Sequence, residues 1–327
     1  MTDKSLTGEF PGLPMAEYLG MPAVSASLVK TILDQCPRAA WHASWLNPHQ
    51  DRQSTAAMDT GTIVHQILLE GHMDGIVVID PRDHPAEKTG AIPGGWTNKS
   101  IKAARDAARD AGKIPVLLDD MVQIDAMVVS AKEFIAGLQP TEPAIWAAFQ
   151  PDGGDSELSM VWDDDGTLCR MRPDRISKDR RVIIDVKTSA MSVEPDSFGR
   201  RQMINMGYYI SAAFYRRGIE ELHNISPAYV FLAIETAPPY LCSLVGIDPA
   251  GFELGGAKVE VGLHLWKACA AVDKWPGYPN RVCYPELPPW EQARWEEKEA
   301  QEIEANGLGA SKGFDWQDEA AKNGIPL

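Results

Sequence analysis

The chain has 327 residues, with 31 Lys or Arg against 46 Asp or Glu, a formal charge of −15 when the histidines are neutral. Hydrophobic residues make up 44% and charged residues 24%, an ordinary globular composition that excludes disordered, collagen-like and low-complexity proteins. No stretch approaches the ~18–20 uninterrupted apolar residues of a membrane-spanning helix, and the start, MTDKSLTGEFPGLP, lacks a basic-then-apolar secretion signal, so a cytosolic protein without membrane contact is expected.

Residues 1–24, rich in Gly, Pro and Met without a period, read as an extended lead-in. Ser25-Ala26-Ser27 then precedes LVKTILDQC, an N-cap signal followed by Leu28, Ile32 and Leu33, which predicts a short helix stopping near Pro37. A second helix is predicted over 56–70, entered through Asp59 or Thr60, with Ile63, Ile67 and Leu68 on its buried face and His65 within it. Residues 80–115 contain DPRDHP, TGAIPGGW and an alanine-rich run of alternating charge, the pattern of a loop and exposed helix inserted at the periphery. From Ile114 to Leu138 apolar residues recur at three- and four-residue steps, predicting a long amphipathic helix packed on a sheet.

That sheet is expected at once. ELSMVW (157–162), TLCRMRPDRI (167–176) and RVIIDVKTS (181–189) are strand-like runs separated by DDDG and KDR, so an antiparallel meander is the simplest arrangement. Residues 197–217 read as a helix, 228–236 and 240–247 as two strands joined by APP, and 249–275 as a helix ending at Trp275-Pro276-Gly277. Residues 286–327, with ten acids against four bases, read as a solvated helix and tail. The expected organisation is one domain over 25–285, with a helical part (25–75), the peripheral insertion and a core (116–285), between the lead-in and the acidic tail.

Four ionisable residues fall at related places on the meander: Glu157 starting its first strand, Asp174 ending its second, and Asp185 with Lys187 on its third. Side chains alternate faces along a strand, so Asp185 and Lys187 point one way and Val186 the other. Tight turns would set Asp174 beside Asp185. Two carboxylates and a backbone carbonyl converging on one point make a hard-oxygen site suited to Mg²⁺. An ammonium two residues on can orient a water or stabilise charge developing at phosphorus, so the chemistry implied is metal-assisted phosphodiester hydrolysis. A DxK on an edge strand would instead be a solvated salt bridge of little worth. The preceding Val182-Ile183-Ile184 argues for a buried central strand, where unpaired ionisable groups are costly.

The set Pro173-Asp174 and Asp185-Val186-Lys187 resembles the PD-(D/E)XK nuclease superfamily. The segments SASLVKTILDQCPRAAW, GTIVHQILLEG, RMRPDRI and YVFLAIETAPPY look like its RecB-type branch, most of all the RecE (exonuclease VIII) C-terminal nuclease domain of phages and prophages. The resemblance covers most of residues 20–285 and implies an α/β fold: a restriction-endonuclease-like core, a mixed central sheet flanked by helices, with a helical N-terminal extension. It implies that Asp174 and Asp185 ligate metal with the Val186 carbonyl, that Lys187 is the catalytic lysine, and that His65 is the upstream histidine of the metal site. Glu157 is similar to the acid of the first core strand, a ligand of a second ion directly or through water. A lone histidine on an apolar helix is otherwise commonly a core residue. The family's Gln-x-x-x-Tyr pattern departs here: Gln202 is followed four residues later by Met206, whereas Asn205 is followed by Tyr209, the better match to one helical face.

The acidic total argues against coating nucleic acid by bulk charge, although a local basic channel or bound metal ions would reverse the sign where a phosphate sits. Arg170, Arg172, Arg175, Lys178, Arg180 and Arg181 on the meander, with Arg200 and Arg201 opening the next helix, offer such a cluster; Arg172 and Arg200 are the candidates for DNA contact. No base-reading module is visible, and GxxxxGK[ST], GxGxxG after a strand, HExxH and GxSxG are absent from the sequence. The five cysteines (Cys36, Cys169, Cys242, Cys269, Cys283) include no CxxC pair and read as reduced core residues. Some RecB-type relatives hold an iron-sulfur cluster through one upstream and three clustered cysteines; that clustering is missing here, so no cluster is expected.

The expectation is a Mg²⁺-dependent exonuclease, with Mn²⁺ substituting, acting on double-stranded DNA ends. By resemblance it is phage or prophage encoded, works 5′ to 3′ in a bacterial cytoplasm as a homo-oligomer (tetramer favoured), and leaves a 3′ strand for a single-strand annealing protein. The rivals are a repair nuclease of the same branch acting on single-stranded or branched ends, and a non-catalytic DNA-binding recombination accessory. The tail, with Trp290, Trp295 and Trp316, is read either as a docking segment or DNA mimic or as a plain solvated helix.

Overall fold

The computed structural model describes residues 6–49 and 55–305, and the chain falls into two compact units, residues 1–277 and 278–327. In chain order the first unit holds β1 (Gly8–Phe10), α1 (Met15–Gly20), α2 (Ala26–Asp34), α3 (Pro37–His42), α4 (Ala56–His65) continued by a π-helical turn over 66–70, β2 (Ile76–Ile79) and α5 (Lys99–Asp110). There follow β3 (Ile114–Leu117), α6 (Leu118–Ala136), α7 (Pro143–Phe149), β4 (Gly154–Ser156), β5 (Ser159–Asp164), β6 (Thr167–Met171), β7 (Arg175–Ser177) and β8 (Val182–Ser189). The turn α8 (Pro195–Ser197), α9 (Tyr208–His223), β9 (Ala228–Glu235), β10 (Cys242–Gly246) and α10 (Pro249–Val272) complete it; the second unit carries α11 (Pro289–Ala305), with Trp290 and Trp295 exposed. Trp316 and the rest of the tail lie outside the described residues. No described helix is long and apolar enough to cross a membrane.

The main sheet has the order β10-β9-β8-β7-β4, with β8 and β9 parallel and the other pairs antiparallel, which makes β8 its central strand. Its continuous apolar run reflects cover on both faces. Ile183 joins Tyr229, Phe231 and Ala233 in a core against α2, α9 and α10, while Val182, Ile184 and Val186 join Leu232 and Ile234 against α4, α6 and α7. Strand alternation therefore assigns Asp185 and Lys187, two and four residues after Ile183, to the α2/α9 face. A smaller antiparallel sheet has the order β1-β5-β6, and β2 pairs with β3 in parallel.

The meander expected from 157–189 is split. Pro173, which has no N–H for a ladder, ends one strand and lets the chain change sheets, so β6 pairs with β5 while β7 pairs with β8. The lead-in is not merely extended: it contains β1, added to the edge of β5, and α1. The helix before Pro37 ends at Asp34, as expected, and Pro37 itself opens α3 at its first turn, where a missing N–H costs nothing. The 56–70 helix is entered at Thr55, whose hydroxyl accepts from the Met58 amide, rather than at Asp59 or Thr60. The first four residues of the 114–138 helix are strand β3, held by parallel pairing that periodicity does not register. The 197–217 helix is interrupted at Gly207, which has φ 59°. Among the cysteines Cys169 is buried but Cys283 is exposed, so it is no core residue.

Close helix packing depends on two glycines of α10, seven residues apart on one face. A Cβ on Gly255 would lie 2.5 Å from the Tyr209 carbonyl oxygen of α9, and one on Gly262 would lie 2.8 Å from Val29 of α2. Gly255→Val is expected to destabilise the protein by about 1–3 kcal/mol by overpacking against backbone that cannot rotate away. A lower urea midpoint at unchanged slope is the measurement that checks it.

Candidate active site

β8 carries Asp185 and Lys187 side by side, and the Lys187 ammonium is hydrogen-bonded to Asp185 Oδ1. On the parallel neighbour β9, Tyr229 lies opposite Ile183 on the same face, and its hydroxyl donates to Asp185 Oδ2 at 2.8 Å. β7 pairs Arg175 with Ile184, so continuing that register places Asp174 opposite Asp185. Asp174 Oδ2 accepts from the Val186 amide at 2.7 Å, and the two aspartates are hydrogen-bonded side chain to side chain.

His65 ends α4 with Nε2 2.8 Å from the Val186 carbonyl and Nδ1 3.7 Å from Asp174 Oδ2. A carbonyl only accepts, so this contact assigns the proton to Nε2 and turns the Nδ1 lone pair toward Asp174. Glu157 precedes β5 with φ 50°, a sparsely populated conformation outside glycine. Its amide donates to the Asp174 carbonyl at 3.2 Å and its carboxylate accepts from Arg172 Nε at 2.9 Å. Ligand atoms of His65, Glu157 and Asp174 all lie within 4.8 Å of one another. One imidazole nitrogen with carboxylate oxygens is a donor set that fits a divalent cation.

The electrostatics follow from burial and close charges. Burial, reinforced by Lys187, pushes His65 down to about 4, so near neutral pH the imidazole is uncharged and free to ligate. Burial and the Asp185 charge raise Asp174 well above the usual carboxylate range. Burial also opposes ionisation of Asp185, but the Lys187 charge and hydrogen bonds from Lys187, Asp174 and Tyr229 prevail and hold it low. Burial lifts Glu157 in spite of Arg172. Lys187 is desolvated, yet Asp185 and Asp174 raise it, so its ammonium stays charged.

Of the residues singled out from sequence, His65, Glu157, Asp174, Asp185, Val186 and Lys187 are brought together. Within the set the roles shift: the Val186 carbonyl is engaged by His65, and Asp185 faces Lys187 and Tyr229 rather than joining the three-residue cluster. Arg172 is beside the site but committed to Glu157 and to the Leu13 carbonyl. Arg200 is exposed and pairs with Asp196 at 3.5 Å. The helical pair Asn205 and Tyr209 does not form one face, because the break at Gly207 separates them; Asn205 is exposed, while Tyr209 is buried and its hydroxyl is bonded by Lys258. Gln202 is buried and donates to the Ser192 carbonyl. None of these last three lines the cavity around Lys187, where the structure instead places Tyr208, Ser211, Lys30 and Thr31. Lys30 falls one turn after Ser27 in the quoted SASLVKTIL segment, a helical spacing that could have flagged it. Nothing in the local pattern marks Tyr229 or Tyr18.

A central DxK strand, an aspartate delivered by an adjacent Pro-Asp break and a histidine from a preceding helix define a PD-(D/E)XK-type domain. The chain belongs to the family described as "PDDEXK-like domain of unknown function (DUF3799)", whose model matches residues 25–285, and thereby to the PD-(D/E)XK nuclease superfamily. Among solved structures it is similar to one designated "putative exonuclease" from Eubacterium rectale, at 12% identity and a TM-score of 0.53, over 86% of this chain and 96% of that one. That likeness supports the fold. The structure of SSO0001 also aligns, at 10% identity and a TM-score of 0.23, over 62% of this chain and 85% of that one. No curated protein matches the sequence.

Ligation requires Asp174 as a carboxylate, a form that burial and the neighbouring Asp185 disfavour in the metal-free protein. Metal uptake is therefore expected to release protons from Asp174 and from Glu157, which burial also raises, and to strengthen as pH rises. His65, already neutral above about 4, contributes no proton near neutrality. Calorimetric titration with Mn²⁺ in two buffers of different ionisation heat measures the release, and Asp174→Asn should lower it.

Proposed function

We propose that the chain is a Mg²⁺-dependent DNA exonuclease, with Mn²⁺ substituting, that hydrolyses phosphodiester bonds from the ends of linear duplex DNA. The observation that carries this reading is the convergence of His65, Glu157 and Asp174 beside the Asp185–Lys187 pair. Its resemblance to the RecE type supplies the finer points: 5′ to 3′ polarity, a 3′ single strand left for an annealing partner, and a tetrameric homo-oligomer in a phage-encoded recombination setting.

Asp174, Glu157 and His65 would hold the cation, with Asp185 adjoining through Asp174. When bound, such an ion supplies Lewis acidity toward a phosphoryl oxygen and lowers the pKa of a water. Lys187, kept charged by its two aspartates, donates hydrogen bonds; it orients the attacking water or stabilises charge on the phosphate rather than abstracting a proton. Tyr229 fixes the Asp185 carboxylate, and His65 is fixed in turn by the Val186 carbonyl.

Linear duplex labelled at the 5′ or 3′ end is the direct test, with Mg²⁺ or EDTA. The expected outcome is metal-dependent loss of the 5′ label first, reduced by about 10²–10³-fold in Lys187→Ala and comparably in Asp185→Ala. Intact DNA under every metal condition would sink the catalytic reading and favour an accessory DNA-binding protein.

A further inference from the structure

Two cavities, each of about 430 Å³, flank the catalytic residues. His65, Gln66, Glu157 and Arg172 line one; Lys30, Asp185, Lys187 and Tyr208 line the other. Tyr18, Asp174 and Tyr215 line both, so the two cavities adjoin at these residues. Asp174 belongs to the catalytic set and Tyr215 to α9. Tyr18 comes from α1, which supplies no ligand and no catalytic charge.

Tyr18 is 8% exposed, and its segment is fastened on both sides of it. Arg170 of β6 donates to the carbonyls of Tyr18, Leu19 and Met21. The Arg170 and Arg172 guanidiniums stand 4.9 and 5.5 Å from the centre of the Tyr18 ring. Upstream, the Leu13 carbonyl accepts from Arg172 at 3.0 Å, β1 is paired with β5, and Glu9 accepts from Arg180. The segment 8–21 is thus part of the wall rather than a flap laid over it.

A DNA strand running uninterrupted through both cavities would have to pass the residues they share, Tyr18 among them. A strand that terminates there does not: its last nucleotide can rest against the ring while its phosphodiester reaches Asp174. We propose that Tyr18 is an end stop, a specificity-determining residue that confines cleavage to strand termini. An aromatic ring can bear against a terminal base of any identity, and the guanidiniums of Arg170 and Arg172 close to it favour the accompanying negative charge. This inference rests on the nuclease reading and adds to it the reason why an end is required.

The experiment compares linear and covalently closed circular forms of one duplex and of one single strand, with Mg²⁺ and the full chain as wild type, Tyr18→Ala and Tyr18→Leu. The expected result is loss of linear DNA and survival of circles with the wild type. In Tyr18→Ala the ratio of circle to linear cleavage should rise at least about tenfold, a barrier change of about 1.4 kcal/mol; the rise should be smaller in Tyr18→Leu, which keeps apolar bulk. Thermal melting establishes that each variant is folded, and if Tyr18→Ala is not, a raised ratio is required of Tyr18→Leu. Circles cut by the wild type as fast as linear DNA, or an unchanged ratio in the folded variant, would overturn the end stop while leaving the nuclease intact. A wild type inert on linear DNA would remove both.

Discussion

An ion pair on the central strand of a sheet covered on both faces is the constraint that the other parts answer. Taking Asp185 and Lys187 out of water costs several kcal/mol per ion unless geometry and further hydrogen bonds offset it. Every neighbouring element contributes to that offset. β9 supplies the Tyr229 hydroxyl, the β6–β7 break supplies Asp174, and the first residue of α9 sets the Tyr208 ring 5.3 Å from the ammonium. A buried pair that is held this tightly, with a third carboxyl beside it whose ionisation burial disfavours, has little stability to offer. Its value lies in poise: a cation held at Asp174 would change the charge balance of the whole group.

Two sheets meet at this point, and Pro173 is the reason. Had the second strand run unbroken from Thr167 to Ile176, Asp174 would lie in mid-ladder and Glu157 would belong to the same sheet. Instead Glu157 stands at the start of the β5–β6 sheet, Asp174 at the start of β7, and the Glu157 amide bonded to the Asp174 carbonyl joins the two. The candidate metal ligands thus come from three separate pieces of structure: the end of α4, the entry to β5 and the inter-sheet break.

What could be read from the sequence follows what is local. Val182-Ile183-Ile184 marks a strand buried on both faces, and Asp185-Val186-Lys187 fixes side-chain alternation whatever the register; both hold in the structure. Elements held by distant partners were not legible. β1 exists because β5 presents an edge to it, β3 because β2 lies parallel beside it, and neither has a period of its own. The α9 region shows the limit of helical spacing: Asn205 and Tyr209 are four residues apart, but φ at Gly207 rotates one away from the other. Tyr229 and Tyr18 look like core aromatics in their own segments, and only the pairing of β8 with β9 and the seat of α1 give them a second role.

α1 has six residues, far fewer than the ~12–15 that an isolated helix needs to persist in water. Its order is therefore borrowed. The guanidinium of Arg170 gathers three carbonyls at its C-terminal end, doing for this helix what a C-cap does elsewhere, and that arginine springs from β6, which is paired with β5 in the small sheet. The boundary between the two cavities is in this sense set from behind. A disturbance of the β1-β5-β6 sheet would reach the active site as a loosened tyrosine rather than as a lost ligand.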